Sequence, residues 1–161
     1  MCTGKGKSVS HEARFQELKL ELPSAVRGLG VYKFVLVVDG LAYVSGHGPV
    51  GVDGTSICGR LGETLDKEAG YEAARRTGVN MLRSLREHLG SLDAIKRLVK
   101  TTGFVNATPE FKDHPVVING FSELMRDVFG PEEGLGARSA MGVASLPGGW
   151  AVEVEAVFQL A

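Results

Sequence analysis

The sequence predicts an α+β domain in which a β-sheet carries helices on one face. Short β-rich runs alternate with two long amphipathic segments in the order ββ, α, β, α, ββ. The length of 161 residues fits one domain. Hydrophobic residues make up 43% of the chain and charged residues 23%, as in globular rather than disordered proteins. No internal repeat or linker interrupts this pattern.

The N-terminal part is predicted to be a tail followed by a short helix. Residues 11–20 place apolar side chains on one face of a helix, and Pro23 ends it because proline restricts the residue before it. We therefore divide the chain into a tail with a short helix, residues 1–27, and a single domain, residues 28–161.

A β-hairpin opens the domain. The β-rich runs 32–38 and 41–45 flank Asp39-Gly40, a dipeptide that is typical of two-residue hairpin turns. Residues 48–62 are rich in glycine and polar side chains and are predicted to form a loop.

Two helices follow from the spacing of apolar residues. In residues 66–89, Asp66 suits the N-cap, Gly90 suits the position after the last turn, and one face is apolar. Its members recur every three or four residues: Ala74, Gly78, Met81, Leu82, Leu85 and Leu89. Residues 115–129 form the second helix, which begins at a proline and ends before Gly130-Pro131.

Three further strands are predicted at residues 98–105, 137–145 and 150–158. The last two are expected to pair as a hairpin with Ser145 opposite Trp150. That register sets three residues of the first strand opposite three of the second, all on one face: Ala140 opposite Glu155, Gly142 opposite Glu153, and Arg138 opposite Val157.

The last strand separates apolar residues from carboxylates. Val152, Val154, Ala156 and Phe158 alternate with Ala151, Glu153, Glu155 and Val157, so the two sets lie on opposite faces of the sheet. The Glu153 face is either a solvated outer surface or a subunit interface, and the pattern alone leaves both open. The small and apolar residues on it favour an interface.

Arg138 is the charged residue with the most specific candidate role. It is either a structural ion-pair or surface residue, or a planar fork that binds a carboxylate through two hydrogen bonds. In the expected register Arg138 and Glu153 lie roughly 14 Å apart along the sheet, too far for a direct bridge. A ligand or a neighbouring subunit would have to lie between them.

Composition argues against several other classes of protein. The net charge of −1 gives no basic field for a nucleic-acid partner. No apolar run is long enough to span a bilayer, and no signal-peptide pattern is present, so we expect a cytoplasmic protein without a membrane partner. The histidines are scattered, and no Cys/His cluster has the spacing of metal ligands. We therefore expect no metal site.

Six segments resemble one known family in order and spacing, over about residues 28–160. They are Gly-Leu-Ala-Tyr-Val-Ser-Gly at 40–46, Phe-Val-Asn at 104–106, Asn-Gly at 119–120, Ala-Arg-Ser-Ala-Met-Gly-Val at 137–143, Leu-Pro at 146–147 and Val-Glu-Val-Glu-Ala at 152–156. The chain resembles the YjgF/Rid (reactive intermediate deaminase, endoribonuclease L-PSP) family, in a less characterised bacterial branch.

The resemblance implies a chorismate-mutase-like fold. It also implies a homotrimer whose sheets close into a central barrel, with active sites between subunits. Arg138 matches the arginine that binds the substrate carboxylate, and Glu153 matches the acid that handles water. Positions that line the substrate in the family are matched by Tyr32, Gly46, Asn119 and Ala140.

The implied reaction is the cofactor-independent hydrolysis of 2-aminoacrylate-type enamines and imines to a 2-keto acid and ammonia. Proximity and general acid–base catalysis would suffice, without a nucleophile or a metal. Two other classes remain open: a non-catalytic trimer that binds small acids in a regulatory role, and, less well supported, an endoribonuclease.

Several positions depart from the family pattern, among them Lys33-Phe34 after Tyr32, where the deaminases of the family commonly have a polar pair. Ala140 stands where many members have cysteine, and His47 where many have glutamine. We expect His47 to be a loop residue near the mouth of the pocket, with a proton donor or specificity residue as the alternative. Cys58 is expected to be a small buried residue in a variable loop.

Overall fold

The computed structural model describes residues 9–24 and 30–161. Most of the predicted tail and the predicted boundary between residues 27 and 28 lie outside the described residues. The first helix, α1, spans His11–Glu17, and the Ser10 side chain caps it by accepting a hydrogen bond from the Ala13 N–H at 3.2 Å. It ends earlier than predicted because Lys19 adopts a positive φ of 48°, which cannot continue a helix.

Five strands form one sheet in the order β1-β2-β5-β3-β4. Their bounds are β1 Val35–Val38, β2 Leu41–His47, β3 Ile95–Asn106, β4 Ala137–Val143 and β5 Val152–Leu160. The predicted hairpin between β1 and β2 is confirmed, with Val38 opposite Leu41. Asp39 and Gly40 both have positive φ, 49° and 74°, as a two-residue turn of this kind requires.

The expected hairpin between β4 and β5 is wrong. Instead β5 lies between β2 and β3, antiparallel to both, and β4 lies at the sheet edge, parallel to β3. Burial explains why β5 is in the middle of the sheet and β4 at its edge. The inward residues Val152, Val154 and Phe158 of β5 have no exposed surface, whereas β4 is partly or fully exposed along its length. A strand that is fully covered on one face belongs in the middle of a sheet, and a strand of small residues can close its edge.

The two long helices are confirmed, as α2 (Lys67–Leu89) and α3 (His114–Phe129). The Asp66 carboxylate accepts a hydrogen bond from the Ala69 N–H at 2.8 Å, and Gly90 ends α2 in the left-handed conformation. Both features were predicted from the capping preferences of these residue types. Two short 3₁₀ turns, Leu92–Ala94 and Pro147–Gly149, lead into β3 and β5.

The core lies between α2, α3 and one face of the sheet. Its largest side chains without significant exposure include Phe121, Phe129, Phe158, Met81, Leu82 and Leu85. The two helices approach closely at Gly120, where any Cβ would overlap the backbone carbonyl of Tyr71 on α2. None of the helices in the described ranges is both long and apolar enough to cross a bilayer.

The opposite face of the sheet has no helix over it in the described part of the chain. Leu36, Tyr43 and Met141 are on this outer face and are 44%, 46% and 43% exposed. Glu153 and Glu155 lie on the same face, because they alternate with the buried residues of β5.

Candidate functional site

Arg138 lies on the helix-facing side of the edge strand β4. Its Nη1 group donates to Asn119 Oδ1 at 2.8 Å and to Ser122 Oγ at 3.1 Å. Its Nη2 group donates to the backbone carbonyl of Pro115 at 3.3 Å. We call these four residues the arginine cluster. The first two turns of α3 therefore hold the guanidinium in one orientation.

The arginine cluster leaves part of the guanidinium free. A guanidinium has five N–H donors. Three of them have partners here, so the Nε–H and one N–H of Nη2 remain without a partner among the described residues. No carboxylate in residues 9–24 or 30–161 forms an ion pair with Arg138. Burial lowers the pKa of Arg138 from its ordinary value, but an arginine stays charged at physiological pH.

The sequence of α3 explains why the cluster forms. Asn119 and Ser122 are three residues apart, so they lie on one face of the helix. Gly120 between them allows α3 to lie against the backbone of α2, which fixes the helix relative to β4. Ala140 follows Arg138 on the same side of β4 and packs partly buried against the core.

Glu153 lines a separate cavity of about 400 Å³ on the outer face of the sheet. We call it the Glu153 cavity, and its walls are Gly30, Tyr32, Ser45, Gly46, Pro147, Trp150 and Glu153. No lysine, arginine or histidine is among these described lining residues. The cavity therefore offers an acid and aromatic rings, but no cation.

Gly46 makes room for the Glu153 carboxylate. A Cβ built on Gly46 would overlap Glu153 Oε1, so the carboxylate lies directly against the backbone of β2. The pairing of β2 with β5 shifts register between Val44 and His47, which marks a bulge at this point. The side-chain hydroxyl of Ser45 donates to the Lys33 carbonyl at 2.7 Å and ties the bulge to the segment that carries Tyr32.

The ionised form of Glu153 is disfavoured in this position. Burial raises the pKa of the Glu153 carboxyl above its ordinary value, and the negative charge of Glu155 raises it further. A carboxyl whose pKa moves towards neutral exchanges protons more readily near physiological pH. Glu155, by contrast, is exposed on the strand.

His47 is not the loop residue that the sequence predicted. It is the last residue of β2, 2% exposed, and its ring contacts Phe34. Its Nδ1 lies 2.7 Å from the Ser45 carbonyl and its Nε2 lies 2.8 Å from Ser84 Oγ. Because a carbonyl can only accept, Nδ1 carries the proton and Nε2 accepts from the serine. Burial lowers the pKa of His47, so the ring is neutral and braces the bulge.

The predicted site residues fall into two groups. Tyr32, Gly46 and Glu153 lie together in the Glu153 cavity, and Asn119 and Ala140 lie with Arg138. The expectation that Arg138 and Glu153 share a face is wrong. Arg138 is level with the buried residue Thr101 of β3, on the helix side, and Glu153 is level with Phe104 on the outer side. Their Cα atoms are about 14 Å apart, estimated from this register and ordinary strand spacing.

The site predicted from the sequence does not include Ser122, Ser45, Pro147 or Trp150, although Ser45 and Pro147 lie within the motifs that the chain shares with the family. Ser122 could have been found as the residue one helical turn after Asn119. Trp150 was assigned to a strand, although it follows a turn and precedes β5. The prediction for Cys58 is also wrong, because this residue is exposed. In the described ranges, no three His, Cys, Asp or Glu side chains converge as ligands for a metal ion.

Comparison with known proteins gives consistent matches. A family model described as "YjgF/chorismate mutase-like, putative endoribonuclease" matches residues 12–147. Protein TCP17 of Trypanosoma cruzi is 39% identical over 148 residues, which cover 92% of this chain and 92% of that protein.

Two crystal structures extend the match to the fold. The protein Atu1372 of Agrobacterium tumefaciens, whose function is unknown, is 35% identical with a TM-score of 0.83, over 94% of each chain. A protein of Shewanella oneidensis, described as a "putative endoribonuclease", is 27% identical with a TM-score of 0.88, over 94% of this chain and 99% of that one. The family model covers most of the described structure, and the order of elements agrees with the motifs found in the sequence. The chain therefore belongs to the YjgF/Rid family.

Proposed function

We propose that this protein is a hydrolytic deaminase of reactive enamine and imine acids of the 2-aminoacrylate type, acting without a cofactor. The observation that carries the proposal is the guanidinium of Arg138. It is half-buried and held on one side by α3, and it keeps two N–H donors and no acidic partner within the described residues. A fixed, unpaired arginine fork is suited to a substrate carboxylate.

The chemistry needs one further group that handles water and protons. The enamine tautomerises to an imine, water adds to the imine carbon, and the C–N bond breaks to release ammonia and a 2-keto acid. Glu153 is the candidate because it is the acid that lines the cavity, and burial together with Glu155 raises its pKa, which makes its carboxylate a stronger base. Arg138 would hold the carboxylate while the water is activated, which is a contribution of proximity and orientation.

The two groups can meet only between chains. Within one chain they lie on opposite faces of the sheet, about 14 Å apart by strand spacing. Among the described strands, β4 pairs on one side only and so leaves backbone groups unpaired at the edge of the sheet, and the outer face exposes Leu36, Tyr43 and Met141. A second copy that brings its β4 edge to the Glu153 cavity would cover this surface and complete the site. We propose a homotrimer, as the family resemblance implies.

The test begins with assembly and activity. Light scattering should give about three times the chain mass of 17.1 kDa. Wild-type trimers should release ammonia from freshly generated 2-aminoacrylate. Arg138→Lys should be impaired and Arg138→Ala more so, by roughly ten- to a hundredfold, since a charge-assisted pair is worth about 1.5–3 kcal/mol. If wild-type trimers bind 2-keto acids but release no ammonia, the deaminase proposal is wrong and the protein is a binding protein.

Mixed trimers test whether the site is shared. Trimers of Arg138→Ala alone or of Glu153→Gln alone are expected to be strongly impaired, but every mixed ring has one interface with both residues intact. Random mixing in equal amounts should therefore restore about a quarter of wild-type activity, because three in four trimers are mixed and one site in three is whole. Active wild-type trimers with no recovery on mixing would place both residues in one subunit and refute the shared site.

A further inference from the structure

The Glu153 cavity has room for a ligand larger than a three-carbon acid. Its volume of about 400 Å³ is in the range of ordinary ligand pockets, roughly 300–1,000 Å³. Its floor is the glycine backbone of Gly46, and its walls include the rings of Tyr32 and Trp150. The residues that surround the carboxylate are therefore mostly aromatic residues or glycines.

Trp150 is held so that its ring is part of the wall. A Cβ at Gly48 would come within 2.6 Å of the six-membered ring of the indole, so the ring lies directly on the Gly48 backbone. Tyr32 on the other side packs edge-to-face on Phe34 at 5.5 Å between ring centres. Both rings are thus braced by neighbours before any ligand binds.

The indole ring has no role in anchoring its own backbone. The Trp150 N–H donates to the Pro147 carbonyl at 3.1 Å, and the Trp150 carbonyl accepts from Asn106 Nδ2 at 3.2 Å. The neighbouring Ala151 N–H donates to the Ile57 carbonyl at 3.0 Å. A smaller side chain at position 150 would leave these bonds in place, so the ring is available for recognition.

We propose that Trp150 and Tyr32 form a specificity wall, and that this enzyme takes imine and enamine acids with a large apolar side chain, aromatic or branched. The proposal rests on the proposed deaminase function. With the reacting carbon beside Glu153, the side chain of the substrate enters between the two rings. Apolar and aromatic groups gain most from such surroundings, because they leave water and stack on the rings.

A nucleobase would also stack on aromatic rings, but the cavity does not suit a nucleotide. Among the described residues that line it, the charged side chain is the carboxylate of Glu153 and none is basic. The proposed shared site adds Arg138 as its cation, and a single carboxylate matches the two free N–H donors of that side chain. A nucleic-acid backbone needs a track of basic side chains, which these lining residues do not provide. The ring pair therefore favours a small apolar acid over RNA.

The kinetic test uses imino acids made in place by an amino-acid oxidase. The rate of keto-acid formation is measured for the imines of alanine and phenylalanine, with a semicarbazide trap as competitor. Wild type should favour the phenylalanine-derived imine by at least about tenfold in kcat/KM. Trp150→Ala should reduce that preference about tenfold, while Trp150→Phe keeps most of it. Val52→Ala, an exposed apolar truncation outside the cavity, is the matched control.

A binding test separates failure of this inference from failure of the proposed function. The chain has one tryptophan, so its fluorescence reports on the cavity directly. Titrations followed by this fluorescence should give a Kd for 4-methyl-2-oxopentanoate that is at least about tenfold lower than the Kd for pyruvate, whether or not the protein is catalytic. Tight binding without imine hydrolysis would refute the deaminase function alone. Hydrolysis of both imines with equal efficiency, or a preference that Trp150→Ala leaves unchanged, would overturn the specificity wall.

Discussion

The arginine cluster and the Glu153 cavity handle charge in opposite ways. Arg138 is oriented by neutral oxygens of α3 and keeps its charge, because Asn119, Ser122 and the Pro115 carbonyl compensate for its burial. Glu153 has no hydrogen-bond donor or cation as a partner in the described part of the chain, and burial beside Glu155 raises its pKa. One group is prepared for holding an anion, and the other for exchanging a proton.

This difference teaches why neither half would be effective alone. A cation without an acid can bind a carboxylate but offers no route for protons. An acid without a cation cannot hold an anionic substrate beside it. Because the sheet separates the two halves, we infer that assembly of subunits creates the active site. Substitutions in one half at a time can therefore test each half separately.

The largest effect is expected from Glu153→Gln. This change keeps the shape of the side chain but replaces the carboxyl with an amide that can neither gain nor lose a proton, so kcat should fall by about 10²–10⁴. Affinity for pyruvate or 4-methyl-2-oxopentanoate, measured by calorimetry, should change little because Arg138 is intact. Glu155→Gln is the matched control, since it lies two residues further along the same face and is exposed. Loss of activity in Glu155→Gln alone would reverse the assignment of the two acids.

A smaller effect is expected from Ser122→Ala. The change removes one of the two oxygens that receive Nη1 of Arg138 and leaves Asn119 in place. We expect a rise in KM of about three- to tenfold with kcat nearly unchanged, because the guanidinium loses orientation but not charge. Ser139→Ala is the control, because that hydroxyl accepts from Lys100 rather than from Arg138. Equal effects of both variants would show a general disturbance of β4.

The smallest effect concerns His47 and pH. Burial lowers the pKa of His47 in the folded state. Between the folded-state and the unfolded-state pKa, His47 is therefore protonated in the unfolded chain and neutral in the folded one. The resulting stability is present above the ordinary histidine pKa of about 6.5 and is lost as pH falls through the folded-state value. Urea midpoints at pH 7.5 and 5.5 should therefore fall more steeply for wild type than for His47→Gln.

The comparison isolates His47, because His11, His88 and His114 are present in both proteins. A His47→Gln variant with the same pH dependence as wild type would mean that His47 takes up a proton as readily in the folded chain as in the unfolded one. It would then be a charged neighbour of the Glu153 cavity instead of a neutral brace.

Local signals in the sequence were sufficient for the elements themselves. Asp66 and Gly90 bound α2 as their capping preferences predict, and Asp39-Gly40 forms the tight turn between β1 and β2. The alternation in β5 correctly separated the buried residues from Glu153 and Glu155. Each of these features depends on residues within one turn or a few positions, so a single sequence contains the information.

The sequence was also sufficient to indicate the family, because the motifs around Arg138, Asn119 and Glu153 are typical of it. The same motifs supplied the candidate site residues. It did not determine strand order. Neighbours in the chain made a β4–β5 hairpin plausible, but the apolar face of β5 is better covered between β2 and β3, which sends β4 to the edge. That exchange moved Arg138 to the helix side.

Tertiary structure alone decided the surroundings of single side chains. His47 has no local pattern that marks it as buried, because its partner Ser84 lies 37 residues away on α2. The same holds for the indole of Trp150 on Gly48 and for the Glu153 carboxylate against Gly46. Sequence periodicity reports which face of an element is apolar, whereas contacts between distant segments depend on how those faces pack, and packing is a property of the whole fold.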